Sequence, residues 1–175
     1  MPIPPFVARL RAKVGNDLLL LPCVHAVILD AGGGVLLQRV RDDGKWYCIS
    51  GVLEPGEEPA SGIVREVKEE AGLDVEPVRI TGVYASPVVT YANGNVAQFV
   101  GTVFLCRVTG GELAVADDES LEFRYFAAHA LPELRADHQR FIEDAMSGSE
   151  AARFVVPPGG TLVGAIGKNR TPVPE

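Results

Sequence analysis

The chain has 175 residues, 47% hydrophobic and 22% charged, proportions that suit one soluble globular domain large enough to bury its own core. Its 23 acidic and 16 basic residues leave a net charge of −7, which argues against general binding to nucleic acid or to an anionic membrane surface. No run approaches the ~20 apolar residues of a membrane span, and the opening Met-Pro-Ile-Pro-Pro-Phe lacks the basic and apolar regions of a signal peptide.

In chain order, residues 7–21 read as a short amphipathic helix carrying Arg9, Arg11 and Lys13 and running into the apolar stretch 18–21. A strand follows over residues 23–29, turned by Asp30-Ala31-Gly32-Gly33-Gly34 into a second over residues 35–40. The glycines are hairpin chemistry: no helix follows them and no Gly-Lys-Ser/Thr is present, so they are not a phosphate loop. A polar loop (41–45) leads to the short strand Trp46-Tyr47-Cys48-Ile49. Trp46 there is either packing or a stacking surface for a base.

Residues 59–71 read as a helix closed by Gly72, where a left-handed cap is wanted. Two strand-rich segments, 78–86 and 96–108, are joined through the Asn-Gly turn at 93–94 as a long hairpin. Gly110-Gly111 makes a further turn, residues 120–126 alternate apolar with polar as a strand, and residues 131–146 form a last helix. His129 and His138 fall in polar helical context and are expected to be solvated; His25, in a core strand, is expected to be packed there. Cys23, Cys48 and Cys106 lie far apart in apolar segments, as buried thiols do in a reducing cytoplasm. From Ser147 the composition turns to Gly and Pro with few aromatics, a surface tail. The divisions are an N-terminal helical extension (1–22), one catalytic-sized domain (23–146) and the tail (147–175), with an α+β fold of mixed strand pairing.

The informative stretch is Gly51 to Leu73, GVLEPGEEPASGIVREVKEEAGL. At about 100° per residue, with Glu66 at zero, Glu70 falls near +40° and Glu69 near −60°. Ala60, Ile63, Val64, Val67 and Ala71 occupy a separate arc from about +60° to +160°. One helix face is apolar, and its neighbour carries three carboxylates within reach of one another. Arg65 lies beside Glu69 and cannot neutralise all three. Two like charges ~4 Å apart repel by about 4 kcal/mol at an effective dielectric near 20, so such crowding calls for a cation. Hard divalent cations take oxygen ligands, and Mg²⁺ characteristically shares a few carboxylates with water and substrate phosphate. Glu66, Glu69 and Glu70 read as an Mg²⁺ site completed by a phosphorylated ligand; the plain alternative is a solvated acidic face.

Gly51, Glu57, Arg65-Glu66, Glu69-Glu70 and Gly72, with apolar Val67 and Leu73, together resemble the signature of the Nudix hydrolases. The resemblance implies an α/β/α sandwich around a mixed sheet, spanning roughly residues 24–145. It implies a loop-helix-loop in which the Gly51 carbonyl joins Glu66, Glu69 and Glu70 as metal ligand, and in which Glu57 and Arg65 pair to hold the loop on the helix. It further implies hydrolysis of a nucleoside diphosphate linked to another moiety, with Mg²⁺ (Mn²⁺ as substitute), Glu66 as first choice of base, and a homodimer as candidate assembly. The family commonly has Pro-Gly-Gly where this chain has Ser50-Gly51-Val52, a departure that keeps the glycine and alters the loop around it.

Substrate markers point both ways: Pro87 lies 14 residues after Leu73, near a position associated with ADP-ribose, and Tyr91 lies 18 after it, near one associated with dinucleoside polyphosphates. Nucleoside triphosphates and ADP-ribose-like compounds stand level. Glu119 and Glu122 are candidates for a further acidic residue, and Trp46 and Tyr91 for substrate contact. Two other functions are weighed: a silent nucleotide-binding regulator, which intact carboxylates disfavour, and an RNA 5′-end pyrophosphohydrolase, which the acidic charge disfavours.

Overall fold

The computed structural model describes residues 4–155; residues 1–3 and the expected tail from residue 156 onward lie outside it. Helix α1 spans Pro5–Val14, with proline in its first turn and Gly15, at φ 60°, ending it. The apolar run read with this helix is strand instead: β1 spans Leu19–Leu29. Three turns of helix suffice to place Val7 against Leu21 and Val52. Arg11 then fastens the helix end, donating to the carbonyl oxygens of Asp17 and Val96, each at 2.5 Å.

The remaining strands are β2 Val35–Val40, β3 Trp46–Tyr47, β4 Ile49–Val52, β5 Leu73–Ala85, β6 Val89–Thr90, β7 Val96–Gly111 and β8 Ser120–Phe126. Helix α2 spans Pro59–Ala71 and α3 spans Ala136–Met146. All eight strands join one mixed sheet whose central path runs β3-β2-β1-β7-β5. β1 pairs in parallel with β7 from Leu19↔Ala97 to Leu29↔Arg107. On its other edge β1 pairs antiparallel with β4, placing Val24 opposite Gly51 and His25 opposite Ser50. β8 pairs with β2, and β5 and β6 with β7. The expected hairpin is present, with its turn closed by bonds between Tyr91 and Asn95 and between Tyr91 and Gly94.

Alternation along β1 divides the core in two. Val24, Ala26 and Ile28 join Ile63, Val67 and Ala71 of α2 on one face. Val27 joins Val35, Leu37, Cys48 and Val103 under Phe141, Ile142 and Ala145 of α3 on the other. All three cysteines are buried and free, and burial pushes the Cys23, Cys48 and Cys106 thiols up to about 12.

The last helix begins five residues later than its apolar pattern predicts, because Pro132 and the extended Leu131 keep residues 131–134 out of it. The face that α3 turns inward, shared by His138, Phe141, Ile142 and Ala145, corrects the reading of His138. It is 2% exposed, not solvated, and its Nδ1 accepts the backbone N–H of Cys48 at 3.0 Å. Burial lowers His138 to about 4 and the neighbouring His25 to about 3, so both are neutral at physiological pH. His129 is exposed, as expected.

Gly72 shows why α2 must end where it does. It adopts the left-handed conformation (φ 71°), returns its N–H to the Lys68 carbonyl, and would bring an added Cβ to 2.7 Å from the Glu112 carbonyl oxygen. Gly72→Ala is expected to lower unfolding stability by about 1–2 kcal/mol, measured by urea denaturation at fixed pH.

Candidate active site

The site grows from the turn between β4 and α2. β4 delivers Gly51 to the α2 side of the sheet, and there is no room at that position for any side chain: a Cβ on Gly51 would fall inside the Glu66 carboxylate. The backbone of one strand and the acid of one helix therefore meet in direct contact. The loop that follows folds onto α2 in the same way. Leu53 and Glu57 lie over Gly62, and Glu57 accepts the Glu54 N–H at 3.0 Å.

Arg65 holds this arrangement together. Its Nε and Nη2 grip both oxygens of Glu57 at 2.8 and 2.9 Å, a two-pronged pair across the loop-helix junction. Its Nη1 reaches Glu66 at 2.9 Å and Glu69 at 3.1 Å. The Arg65 bonds hold the Glu57 carboxyl below the usual range, and Glu57 in turn raises the guanidinium. The third carboxylate is outside this reach.

Glu70 is 5% exposed and meets the amide Nε2 of Gln38 at 2.8 Å. Burial, then the charges of Glu66, Asp117 and Glu119, push its carboxyl up to about 9. Burial also raises Glu66, partly offset by Arg65. Asp117 and Glu119 belong to the segment that runs back along the end of α2, where Ala114 and Ala116 donate their N–H groups to the carbonyls of Ala71 and Glu70.

The structure thus brings Gly51, Glu57, Arg65, Glu66 and Glu69 into one contact group, with Glu70 beside it and Glu119 close enough to act on Glu70. The other candidates find partners elsewhere. Trp46 lies edge-on to Phe126 at 4.8 Å, with Arg124 over its ring at 5.6 Å. Glu122 pairs with Arg39 and Arg124 on the sheet. Tyr91 stands 46% exposed at the hairpin turn. Gln38, Ser120 and Asp117 were not singled out from sequence. Gln38 had a signal, a lone amide among the apolar residues of β2.

Among the described residues no three acidic, histidine or cysteine side chains form a finished metal cage. The donor set nonetheless fits a hard divalent cation. Gly51 abuts the Glu66 carboxylate, Glu69 is largely open to solvent, and Glu70 carries the repulsion of Glu66, Asp117 and Glu119. Such a cation needs backbone carbonyls, water and substrate oxygens to complete its shell.

The sequence profile of the NUDIX domain matches residues 19–145, most of the chain. The chain belongs to the NUDIX family. An ADP-ribose pyrophosphatase of Methanocaldococcus jannaschii is 40% identical over 122 residues, covering 68% of this chain and 69% of that protein. The human 8-oxo-dGDP phosphatase NUDT18 is 37% identical over 158 residues, covering 86% of this chain but 44% of that longer protein. A MutT NUDIX hydrolase structure from Burkholderia pseudomallei superposes with a TM-score of 0.63 at 24% identity, over 72% of this chain and 98% of that one, which shows the shared fold. This chain is a Nudix hydrolase, an enzyme acting on a pyrophosphate bond in nucleoside diphosphate derivatives.

Two predictions follow from the geometry. Glu57→Gln removes the charge that Arg65 grips and is expected to lower kcat by about 10–100-fold with little change in unfolding midpoint. The second concerns pH. A carboxyl whose pKa rises from its usual 4.5 to about 9 on folding binds its proton more tightly in the native state, so stability is lost as pH rises between those values. The neutral histidines act oppositely and only below pH ~6.5. Between pH 7 and 9 the metal-free wild type is therefore expected to lose thermal stability relative to Glu70→Gln, and Mg²⁺ to reverse the loss. A flat wild-type profile over that window would contradict the placement of Glu70.

Proposed function

We propose that the chain hydrolyses, with Mg²⁺ or Mn²⁺, the pyrophosphate bond of a small nucleotide: an ADP-ribose-like compound first, a nucleoside triphosphate second. The observation that supports this reading most is the contact between Gly51 and Glu66, which sets the backbone of β4 directly against a carboxylate of α2. The similarity to the Methanocaldococcus enzyme over two thirds of both chains favours ADP-ribose among the level candidates.

The residues that would hold the metal are Gly51, through its carbonyl, and Glu66, Glu69 and Glu70. Bound there, the metal would neutralise the diphosphate and lower the pKa of a coordinated water. The chain's own part is to place and to move a proton. Glu66 takes the proton of the attacking water, its basicity raised by burial. Arg65 keeps Glu66 aimed and locks the preceding loop through Glu57. Glu119 lies where a further acidic group can act on the same charges. Trp46, Tyr91 and Glu122 are left as outlying contacts for the rest of the substrate.

A reducing cytoplasm is the proposed location, supported by the three free cysteines. No helix among the described residues is long and apolar enough to cross a membrane. A homodimer is part of the reading too, supported by the exposed Leu20, Ile80 and Val83 on the sheet.

The test is product release from ADP-ribose, common nucleoside triphosphates, 8-oxo-dGDP, dinucleoside polyphosphates and capped RNA, with Mg²⁺ and with EDTA. Metal-dependent cleavage of ADP-ribose, lost at least 100-fold in Glu69→Gln or Glu70→Gln with the fold intact, is the expected result. Cleavage of capped RNA alone would move the chain to the RNA-end reading, and wild-type rates in both variants would sink the metal assignment.

A further inference from the structure

β2 contributes one polar side chain to the core. Val35, Leu36 and Leu37 are at most 1% exposed, and Gln38, next along the strand, is 5% exposed. Alternation turns Gln38 to the same side as Leu36, which belongs to the core beneath α2. A buried amide has to satisfy its donors, and this one spends both on two partners from distant parts of the chain. Its Nε2 donates to Glu70 Oε2 at 2.8 Å and to Ser120 Oγ at 2.8 Å. Ser120 is fully buried, and its own N–H donates to Asp117 at 2.8 Å. Arg41, just beyond β2, fixes the same turn by donating to the carbonyls of Asp118 and Glu119.

We propose that Gln38 is a positioning residue for metal binding: it holds Glu70 by one carboxylate oxygen and ties it, through Ser120, to the acidic turn at 117–120. The inference rests on the reading of Glu70 as a metal ligand. The residue type is informative. A lysine or arginine at this position would hold the carboxylate equally well but would bring a positive charge that competes with the arriving cation. An amide donates without neutralising, so it fixes the geometry and leaves the negative charge for the metal. Its distance from the helix also matters, because the grip comes from the sheet below and cannot move with α2 alone.

The experiment is Mn²⁺ binding by electron paramagnetic resonance, without substrate, on wild type, Gln38→Met, Glu70→Gln and the double variant. Methionine keeps volume and removes both donors. Gln38→Met is expected to weaken Mn²⁺ binding about 10–100-fold. In the Glu70→Gln background the same change is expected to add nothing, because its effect passes through Glu70. Should Gln38→Met not fold, Gln38→Asn keeps the amide, withdraws it from Glu70, and is read in the same way. A folded variant that binds Mn²⁺ within twofold of wild type overturns the role of Gln38 alone. Equal weakening by Gln38→Met with and without Glu70 also overturns it, as the mark of a merely structural residue. Absence of Mn²⁺ binding in the wild type overturns the metal reading itself, and this inference with it.

Discussion

Everything at this site follows from burying two acids of one helix against each other's field. Glu66 and Glu70 share a face of α2 and are 8% and 5% exposed, an arrangement that water does not screen. The fold meets that constraint with three different devices. It removes a side chain at Gly51, it lends one guanidinium to Glu66, and it gives Glu70 a neutral amide. Among the described residues Arg65 brings the positive charge, and it is divided among Glu57, Glu66 and Glu69. The remaining imbalance of charge suits a hard divalent cation.

The sheet exists, from this viewpoint, to keep those devices in register. Pairing of β1 with β4 fixes the height of Gly51 relative to α2, and pairing of β2 with β8 fixes Gln38 relative to the turn before Ser120. The α2 core of Val24, Ile63 and Val67 sets the helix rotation that presents its acids. The second core, under α3, supports the sheet from behind, and the neutral histidines beside it, buried His138 and half-buried His25, carry no charge toward the site.

What was legible in the sequence was local. Helix periodicity put Glu66, Glu69 and Glu70 on one face, Gly72 announced the helix end, and the Glu57–Arg65 pair came with the family resemblance; all sit in contact or close by in space. The misreadings were cases where tertiary pairing overrode a local pattern. Residues 19–21 look like the continuation of an amphipathic helix, and β7 claims them as strand. His138 looks exposed in its polar neighbourhood, yet it shares the buried face of α3 with Phe141, Ile142 and Ala145 and turns inward to Cys48. Gln38 could be noticed as an oddity, but its partners, 32 and 82 residues away, belong to the folded state.

The parallel pairing of β1 with β7 has a kinetic side. Leu19 and Ala97 lie about eighty residues apart, and β1 is flanked on its other edge by the strand that carries Gly51. Closing so large a loop costs entropy before the ladder repays it, and topologies dominated by such contacts fold slowly. The hairpin of β5 and β7 and the helix α2 between β4 and β5 are assembled from nearer neighbours in sequence. The acidic site draws on contacts of both kinds: α2 lies between sequence neighbours, while Gly51 sits on a strand held by the long-range pairing of β1.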